Sequence, residues 1–350
     1  MTTMLAAIHK RAAGIAHDVR SLSALSSEAL LERAIVVGPP GGCHEAFSPL
    51  YVYNVCHANC AYCGFRKGNV MTRVMLSERD LGREAGAIWL MGCTAAYVLG
   101  GTLTRWDTLS TLRGTLSRQA EFAARGLTAV REQGLRPILE MSPFARHELE
   151  HLAHVAGPGC RYVLFQEAYG TDCYRVMHTE DDMRFKGTPE ERATQPTTAL
   201  TAGWRQVGVG ALLGANPDIW FEVACVTAHA RILLDLGAEL VTISVPRLNP
   251  AKGATTDARC TDDDFIRAVA ITSIMGRAYA PGRIKVVITG RETPEMRDHL
   301  APLTDIWGIR GSTTPGGYAV RPDAEGAQFS LVDRRTLAEI TSAHAARYSV

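Results

Sequence analysis

No apolar run in the 350-residue chain is long enough to span a membrane, and residues 1–25 hold no unbroken apolar core of a secretory signal. The expectation is a cytoplasmic protein with no membrane partner. Excess charge is missing too. Lys and Arg number 37 against 36 Asp and Glu, a formal net charge of +1, which excludes a basic surface spread over the whole molecule and gives no sign of a nucleic-acid partner. There is no Gly-x4-Gly-Lys-Ser/Thr phosphate loop, no Gly-x-Ser-x-Gly nucleophile elbow, no tandem repeat and no low-complexity tract. Cysteine is sparse: nine residues are too few for a disulfide scaffold in a chain of this length. Six of them, Cys43, Cys93, Cys160, Cys173, Cys225 and Cys260, have no paired spacing and read as buried or incidental thiols.

The other three are crowded together. Cys56, Cys60 and Cys63 form a C-x3-C-x2-C run, Cys56-His-Ala-Asn-Cys60-Ala-Tyr-Cys63. Four thiolates would close a cubane or a structural zinc site. Three would leave one iron of a [4Fe–4S] cluster without a protein ligand, free to bind a reagent. The alternatives are a zinc site with a remote fourth ligand and three buried thiols. His57 would be a crowded choice of fourth ligand, because it lies inside the loop.

Hydrophobic residues at 46% and charged residues at 21% supply a full core. Strand-like apolar runs at 50–55, 95–99, 135–139, 162–166, 207–212, 240–245, 285–289 and 305–308 alternate with amphipathic stretches at 77–91, 116–133, 219–236 and 262–275. Ser77-Glu-Arg-Asp and Thr261-Asp-Asp-Asp read as capped helix starts with acids in the first turn. The alternation predicts an α/β fold, a parallel (β/α) barrel of TIM type, complete or nearly so; a doubly wound open sheet is the alternative. Residues 1–48 read as a helical N-terminal extension ending in Gly38-Pro-Pro-Gly-Gly42, 49–312 as the barrel, and 313–350 as a C-terminal extension packing on it. The cysteine loop follows the first strand, at the end where barrel enzymes place reactive groups.

These features resemble the radical S-adenosylmethionine (radical SAM) superfamily, and within it the aromatic amino-acid lyases. That branch includes 2-iminoacetate synthase, a tyrosine lyase, and the tryptophan lyase that makes 3-methyl-2-indolic acid. Besides the cysteine run, the resemblance rests on Ser48-Pro-Leu-Tyr51, Phe165-Gln-Glu-Ala-Tyr169 with Tyr174 and Met177-His178, and Gly210-Ala-Leu-Leu-Gly214. It continues in Ser244-Val-Pro-Arg-Leu-Asn-Pro-Ala251, Thr314-Pro-Gly-Gly-Tyr318, Gln328-Phe329 and Asp333-Arg-Arg335. It implies two cofactors, a [4Fe–4S] cluster on Cys56, Cys60 and Cys63 and S-adenosyl-L-methionine on the open iron. It also implies a free amino-acid substrate and an external reductant such as flavodoxin or ferredoxin.

The resemblance carries over residue by residue. Tyr62 is similar to the aromatic residue that packs by the adenine; its plain alternative is a core aromatic. Gly100-Gly101-Thr102 resembles the glycine motif beside the methionyl amine, although Thr102 stands where relatives usually carry Glu. Glu140, Gln166 and Glu167, at candidate strand ends, match polar contacts to the sulfonium ligand or its ribose, with salt-bridge partners as the plain alternative. Arg175 is a candidate contact to its carboxylate, with a solvated helix-face arginine as the alternative. Arg247, aimed by Pro246, suits bidentate binding of the substrate carboxylate, with a barrel-rim ion pair as the plain alternative. Tyr51 matches a tyrosine near the substrate in the tryptophan lyase, Ser244 is a candidate polar contact beside it, and Arg291 is a weaker candidate for the same pocket. No cysteine follows Cys260, so the second cluster of the hydrogenase-maturation tyrosine lyase has no counterpart in this sequence. The tail Thr314–Tyr318 looks nearer the tyrosine lyase; Ser244-Val-Pro-Arg247 and Gly68-Asn69 look nearer the tryptophan enzyme. The balance tips slightly to tyrosine, giving dehydroglycine and p-cresol. The rivals are the other hydrogenase-maturation radical protein, whose Cys-Gly-Leu-Arg-Arg resembles Cys63-Gly-Phe-Arg-Lys67, and a non-catalytic iron–sulfur carrier.

Overall fold

The computed structural model describes residues 2–37, 45–256, 260–322 and 326–348. The Gly-Pro stretch 38–42 and Cys43 lie outside them. Two helices open the chain, α1 (Met4–Ser23) and α2 (Ser27–Val37). The strands are β1 (Glu45–Tyr51), β2 (Ala95–Leu99), β3 (Arg136–Leu139), β4 (Arg161–Glu167), β5 (Gln206–Ala211), β6 (Leu240–Ser244), β7 (Ile284–Ile288) and β8 (Ile306–Gly308). They pair in sequence order, all parallel, and β8 returns to β1 to close the barrel. The helices between them are α3 (Glu78–Leu90), α4 (Arg118–Glu132), α5 (Arg146–Ala156), α6 (Thr171–Met177), α7 (Glu180–Lys186), α8 (Pro189–Thr201), α9 (Ile219–Asp235), α10 (Asp262–Tyr279) and α11 (Pro294–Leu300). A last helix, α12 (Leu337–Tyr348), follows the barrel. The fold is the complete TIM-type α/β barrel expected from the alternation, and the open-sheet alternative is excluded by its closure.

The two predicted helix starts are capped as read. Ser77 Oγ accepts from Asp80 N at 3.2 Å, and Thr261 Oγ1 from Asp264 N at 3.1 Å, contacts of about 1 kcal/mol each. The first strand differs from its expected span of 50–55. It begins at Glu45 and runs through Pro49, which a sequence reading treats as a breaker. Ala46 O accepts from Thr94 N before β2, while Phe47 O accepts from Ile309 N after β8. Odd-numbered residues of β1 therefore face β8, and that pairing stops at Phe47 with Gly308. Pro49 lies beyond it, where no partner strand misses its N–H.

Helix α1 packs on α9 and α2 on α10. Glu190 accepts from Met4 N and Leu5 N at 2.7 and 3.0 Å, which pins the start of α1 to the barrel wall. The lumen is filled by Phe47, Ala95, Tyr97, Ile138, Val163, Val287 and Ile306. At the strand N-termini Arg161 meets Glu45 at 3.0 and 3.2 Å, both groups almost wholly buried. Removing one partner of such a pair costs about 3–5 kcal/mol. This plug shuts one end of the barrel, so the cavity opens at the C-terminal ends of the strands.

Candidate active site

The cysteine loop leaves β1 and lies over that open end, and Cys56, Cys60 and Cys63 all line the cavity. Its backbone is anchored from several sides. His57 N donates to Thr102 O at 2.9 Å, Ala61 N to Met177 O at 3.1 Å, and Gly64 N to Gln328 O at 2.8 Å. Asp182 Oδ1 accepts from Asn59 N at 2.5 Å. Thr102 N points at Cys56 Sγ from 3.4 Å. The glycine after β2 permits this approach: a Cβ on Gly101 would stand 2.1 Å from Val55 O. Likewise a Cβ on Gly64 would stand 2.3 Å from Ala327 O. Gly64→Ala is therefore expected to push residues 326–329 off the loop and lower the iron retained per chain, measured after anaerobic reconstitution and gel filtration, with the far-ultraviolet spectrum unchanged.

The donor set discriminates between the metal readings. Among the described residues, no three His, Cys, Asp or Glu side chains are gathered as a single ion would gather them. Zinc needs four donors about one point. Three thiols lining one cavity fit a cuboidal cluster, whose irons take one thiolate each. His57 is exposed and stacks on Phe185, with ring centroids 5.5 Å apart. Burial pushes the Cys60 thiol well up and Cys63 to about 11. In the metal-free protein these groups are thiols that must lose protons as iron binds.

Around the loop the strand ends supply charge. Glu167 sits at φ 71, a left-handed conformation rare outside glycine, beside an irregularity in the β4–β5 pairing. Its carboxylate meets Lys186 Nζ at 2.9 Å, Arg192 Nη2 at 3.1 Å and His178 Nε2 at 3.1 Å, and it accepts from Tyr62 Oη. Burial pushes this carboxyl up, but Lys186 and Arg192, with His178, hold it well below the usual range. Tyr62 is thus fixed edge-on to His178 at the cavity wall.

Glu140 also lines the cavity, and its side chain makes no hydrogen bond or ion pair among the described residues. Burial pushes its carboxyl up to about 7 against the pull of Arg291 and Lys186. A folded-state value above the unfolded one favours folding at low pH, and the advantage is lost as pH rises through about 7. Glu140→Gln should therefore stabilise the apoprotein above pH 7 by up to roughly 3 kcal/mol and change little below pH 4.5. Urea unfolding of both proteins at two pH values measures this.

Tyr51, Ser244, Tyr62, Gly100, Gly101, Thr102, Glu140 and Glu167 share the cavity with the three cysteines; Gln166, Arg175 and Arg247 are not in its lining. Gln166 lies between two inward residues of an alternating strand, so it points out, and its Nε2 donates to Pro189 O at 2.8 Å. Arg175 is exposed on α6, which turns Tyr174 and Met177 inward instead. Arg247 Nη1 pairs with Asp262 at 2.5 Å, and its Nε and Nη2 both donate to buried Glu292. The rim ion pair, not an open carboxylate fork, is what the structure shows there.

Arg291 takes that place in the cavity. Its guanidinium lies 3.6 Å from the centre of the Phe329 ring, donates to Arg247 O at 3.2 Å, and meets no carboxylate among the described residues. Tyr51 Oη donates to Gln328 Oε1 at 2.5 Å nearby. Lys186, Arg192 and Gln328 were not singled out as site residues by the sequence reading. Gln328 was visible only as part of a family string, and no local pattern marks Lys186.

No family model matches the chain. It is 30% identical to 2-iminoacetate synthase of Escherichia coli strain K12 over 299 residues, covering 83% of this chain and 72% of that protein. The Salmonella typhimurium enzyme of the same name is 28% identical over 313 residues, 86% of this chain and 75% of that one. Among solved structures, the FeFe-hydrogenase maturase HydG from Carboxydothermus hydrogenoformans superposes with a TM-score of 0.76 at 28% identity, over 97% of this chain and 78% of that one. Methylornithine synthase shares the fold alone, with a TM-score of 0.66 at 13% identity over 94% and 96% of the two chains. Together with the three-thiol loop, these likenesses place the chain: it belongs to the radical SAM superfamily, in its tyrosine lyase branch, whose cofactors are a [4Fe–4S] cluster and S-adenosylmethionine.

Proposed function

We propose that this radical SAM enzyme breaks a carbon–carbon bond at Cα of a free aromatic L-amino acid, with tyrosine the favoured substrate. When bound, the two cofactors supply a 5′-deoxyadenosyl radical that takes hydrogen from the substrate amine. Loss of that hydrogen sets an unpaired electron beside Cα. The Cα–Cβ bond of tyrosine then breaks, leaving dehydroglycine and a 4-hydroxybenzyl radical, which takes one electron from the external reductant and one proton to become p-cresol.

The observation that carries this reading is Arg291. A half-buried guanidinium with no ion-pair partner of its own among the described residues faces the same cavity as the three cysteines. It is suited to receive a substrate carboxylate in two parallel hydrogen bonds. Arg291 would hold the carboxylate with Tyr51 and Ser244 close by, and the aromatic ring would enter the lumen among Phe47, Tyr97 and Val163. Tyr62, Gly100, Gly101, Thr102, Glu140 and Glu167 would hold S-adenosylmethionine against the cysteine loop. Closed packing of residues 326–329 on that loop shields the cavity from water, which a reactive radical requires.

Two readings compete on the ring. The tryptophan reading would send a carboxyl-derived fragment to the indole. Anaerobic turnover analysed by mass spectrometry separates them. p-Cresol with glyoxylate, the hydrolysis product of dehydroglycine, supports tyrosine cleavage; 3-methylindole-2-carboxylate replaces it with the tryptophan reaction.

A further inference from the structure

We propose that the outer face of the cysteine loop is the docking surface for the reductant, a small redox protein with an acidic surface. This rests on the radical SAM reading above and adds the place where the electron enters. The inner face of the loop lines the cavity, which the cofactors and substrate occupy, so the donor must approach from outside.

The outer face is built for an anionic visitor. From Ala46 to Ser77 the chain contains no Asp or Glu, but it carries Arg66, Lys67 and Arg73. Arg66 donates to Asn59 Oδ1 at 3.0 Å and to Gly253 O at 2.9 Å, and Asn69 Nδ2 donates to Lys252 O at 2.7 Å. These bonds draw the 251–256 segment alongside, so that Lys252 joins Lys67 on one exposed surface. None of Arg66, Lys67, Arg73 and Lys252 pairs with a carboxylate among the described residues. Nearby acids are already matched: Asp262 with Arg247, and Asp263 and Asp264 with Arg267. Val70, 91% exposed, offers an apolar contact within the basic surface.

The patch is also wired to the ligand loop. Arg66 N donates to Cys63 O at 3.2 Å and Lys67 N to Ala58 O at 2.8 Å. Helix α7 meets the loop where Asp182 accepts from Asn59 N, and Glu180, exposed at the start of that helix, would repel an acidic donor and so bias its orientation. In the transfer one electron leaves the donor's flavin or iron–sulfur centre, which is oxidised by one. The same electron enters the cluster, which is reduced by one; no atom moves.

The test uses the cluster-loaded protein, a flavodoxin of net negative charge, and the variant K67E/K252E with K67Q/K252Q as its milder counterpart. Calorimetry should show flavodoxin affinity falling with added salt, weakened about tenfold or more by the Glu pair and less by the Gln pair. Flavodoxin-driven release of 5′-deoxyadenosine should fall in step, while dithionite-driven release stays within about twofold, since a small reductant needs no docking surface. Unchanged flavodoxin binding in both variants, or equal loss of the flavodoxin-driven and dithionite-driven reactions, would overturn the proposal. So would an RNA oligonucleotide displacing flavodoxin at lower concentration than flavodoxin itself binds. No dithionite-driven 5′-deoxyadenosine from the wild type would remove the radical reading and this proposal with it.

Discussion

Cys60→Ala is expected to abolish reductive cleavage of S-adenosylmethionine and to leave the fold intact. Cys60 is buried beside Tyr51, Ala58 and Phe65, and replacing its thiol by hydrogen there costs on the order of 1 kcal/mol. The loss of function is far larger. Changes to groups that merely orient metal ligands cost about 10–100-fold, so removing one of three ligands should cost more than about 100-fold. Cys160→Ala is the matched control. It removes another buried thiol, from the main core, that does not line the cavity. Iron content and 5′-deoxyadenosine release, measured side by side, should collapse in the first variant and hold in the second. A Cys60→Ala protein that still released 5′-deoxyadenosine at the wild-type rate would remove the radical mechanism.

The second large effect separates two arginines that look alike in sequence. Arg291→Met should raise KM for the amino acid by about 10²–10³-fold, the worth of a charge-assisted fork to a carboxylate in a buried site. Its melting temperature should fall much less than that of Arg247→Met, because burial already works against the Arg291 charge and no carboxylate loses a hydrogen-bonded partner, although Glu140 loses a nearby positive charge. Arg247→Met should do the reverse. Glu292 is 2% exposed and its Oε1 has no hydrogen-bond partner, so deleting Arg247 strands a buried carboxylate. That costs about 3–5 kcal/mol of stability. Adding Glu292→Gln should recover part of it. If Arg247→Met raised KM and Arg291→Met did not, the assignment of the substrate carboxylate would have to be exchanged.

That contrast also marks the limit of what the sequence reveals. Strand and helix alternation is a pattern of burial, so the barrel could be read directly, with β2 found at 95–99 as expected. The start of β1 was not legible: Pro49 inside it is tolerated only because the pairing with β8 stops at Phe47. The cysteine loop was legible because its spacing encodes its chemistry. Direction at strand ends was not. Gln166 and Glu167 are adjacent, and which one faces the lumen depends on a local irregularity and on the cations of α7 and α8. Arg247 and Arg291 both follow strands near the lumen; only the positions of Glu292 and Asp262 decide which guanidinium is already taken. Gln328 reaches Tyr51 across most of the chain, a contact that no local pattern encodes.

Deuterium transfer tests the central claim most directly. Amine hydrogens exchange with solvent, whereas those on Cα and Cβ do not exchange during the assay. Anaerobic turnover of tyrosine in D₂O should therefore yield 5′-deoxyadenosine carrying one solvent-derived deuterium, together with p-cresol. Ring- and side-chain-deuterated tyrosine in H₂O should yield unlabelled 5′-deoxyadenosine. Label arriving from the carbon skeleton, or no 5′-deoxyadenosine formed from either amino acid, would contradict a radical lyase that acts at the substrate amine.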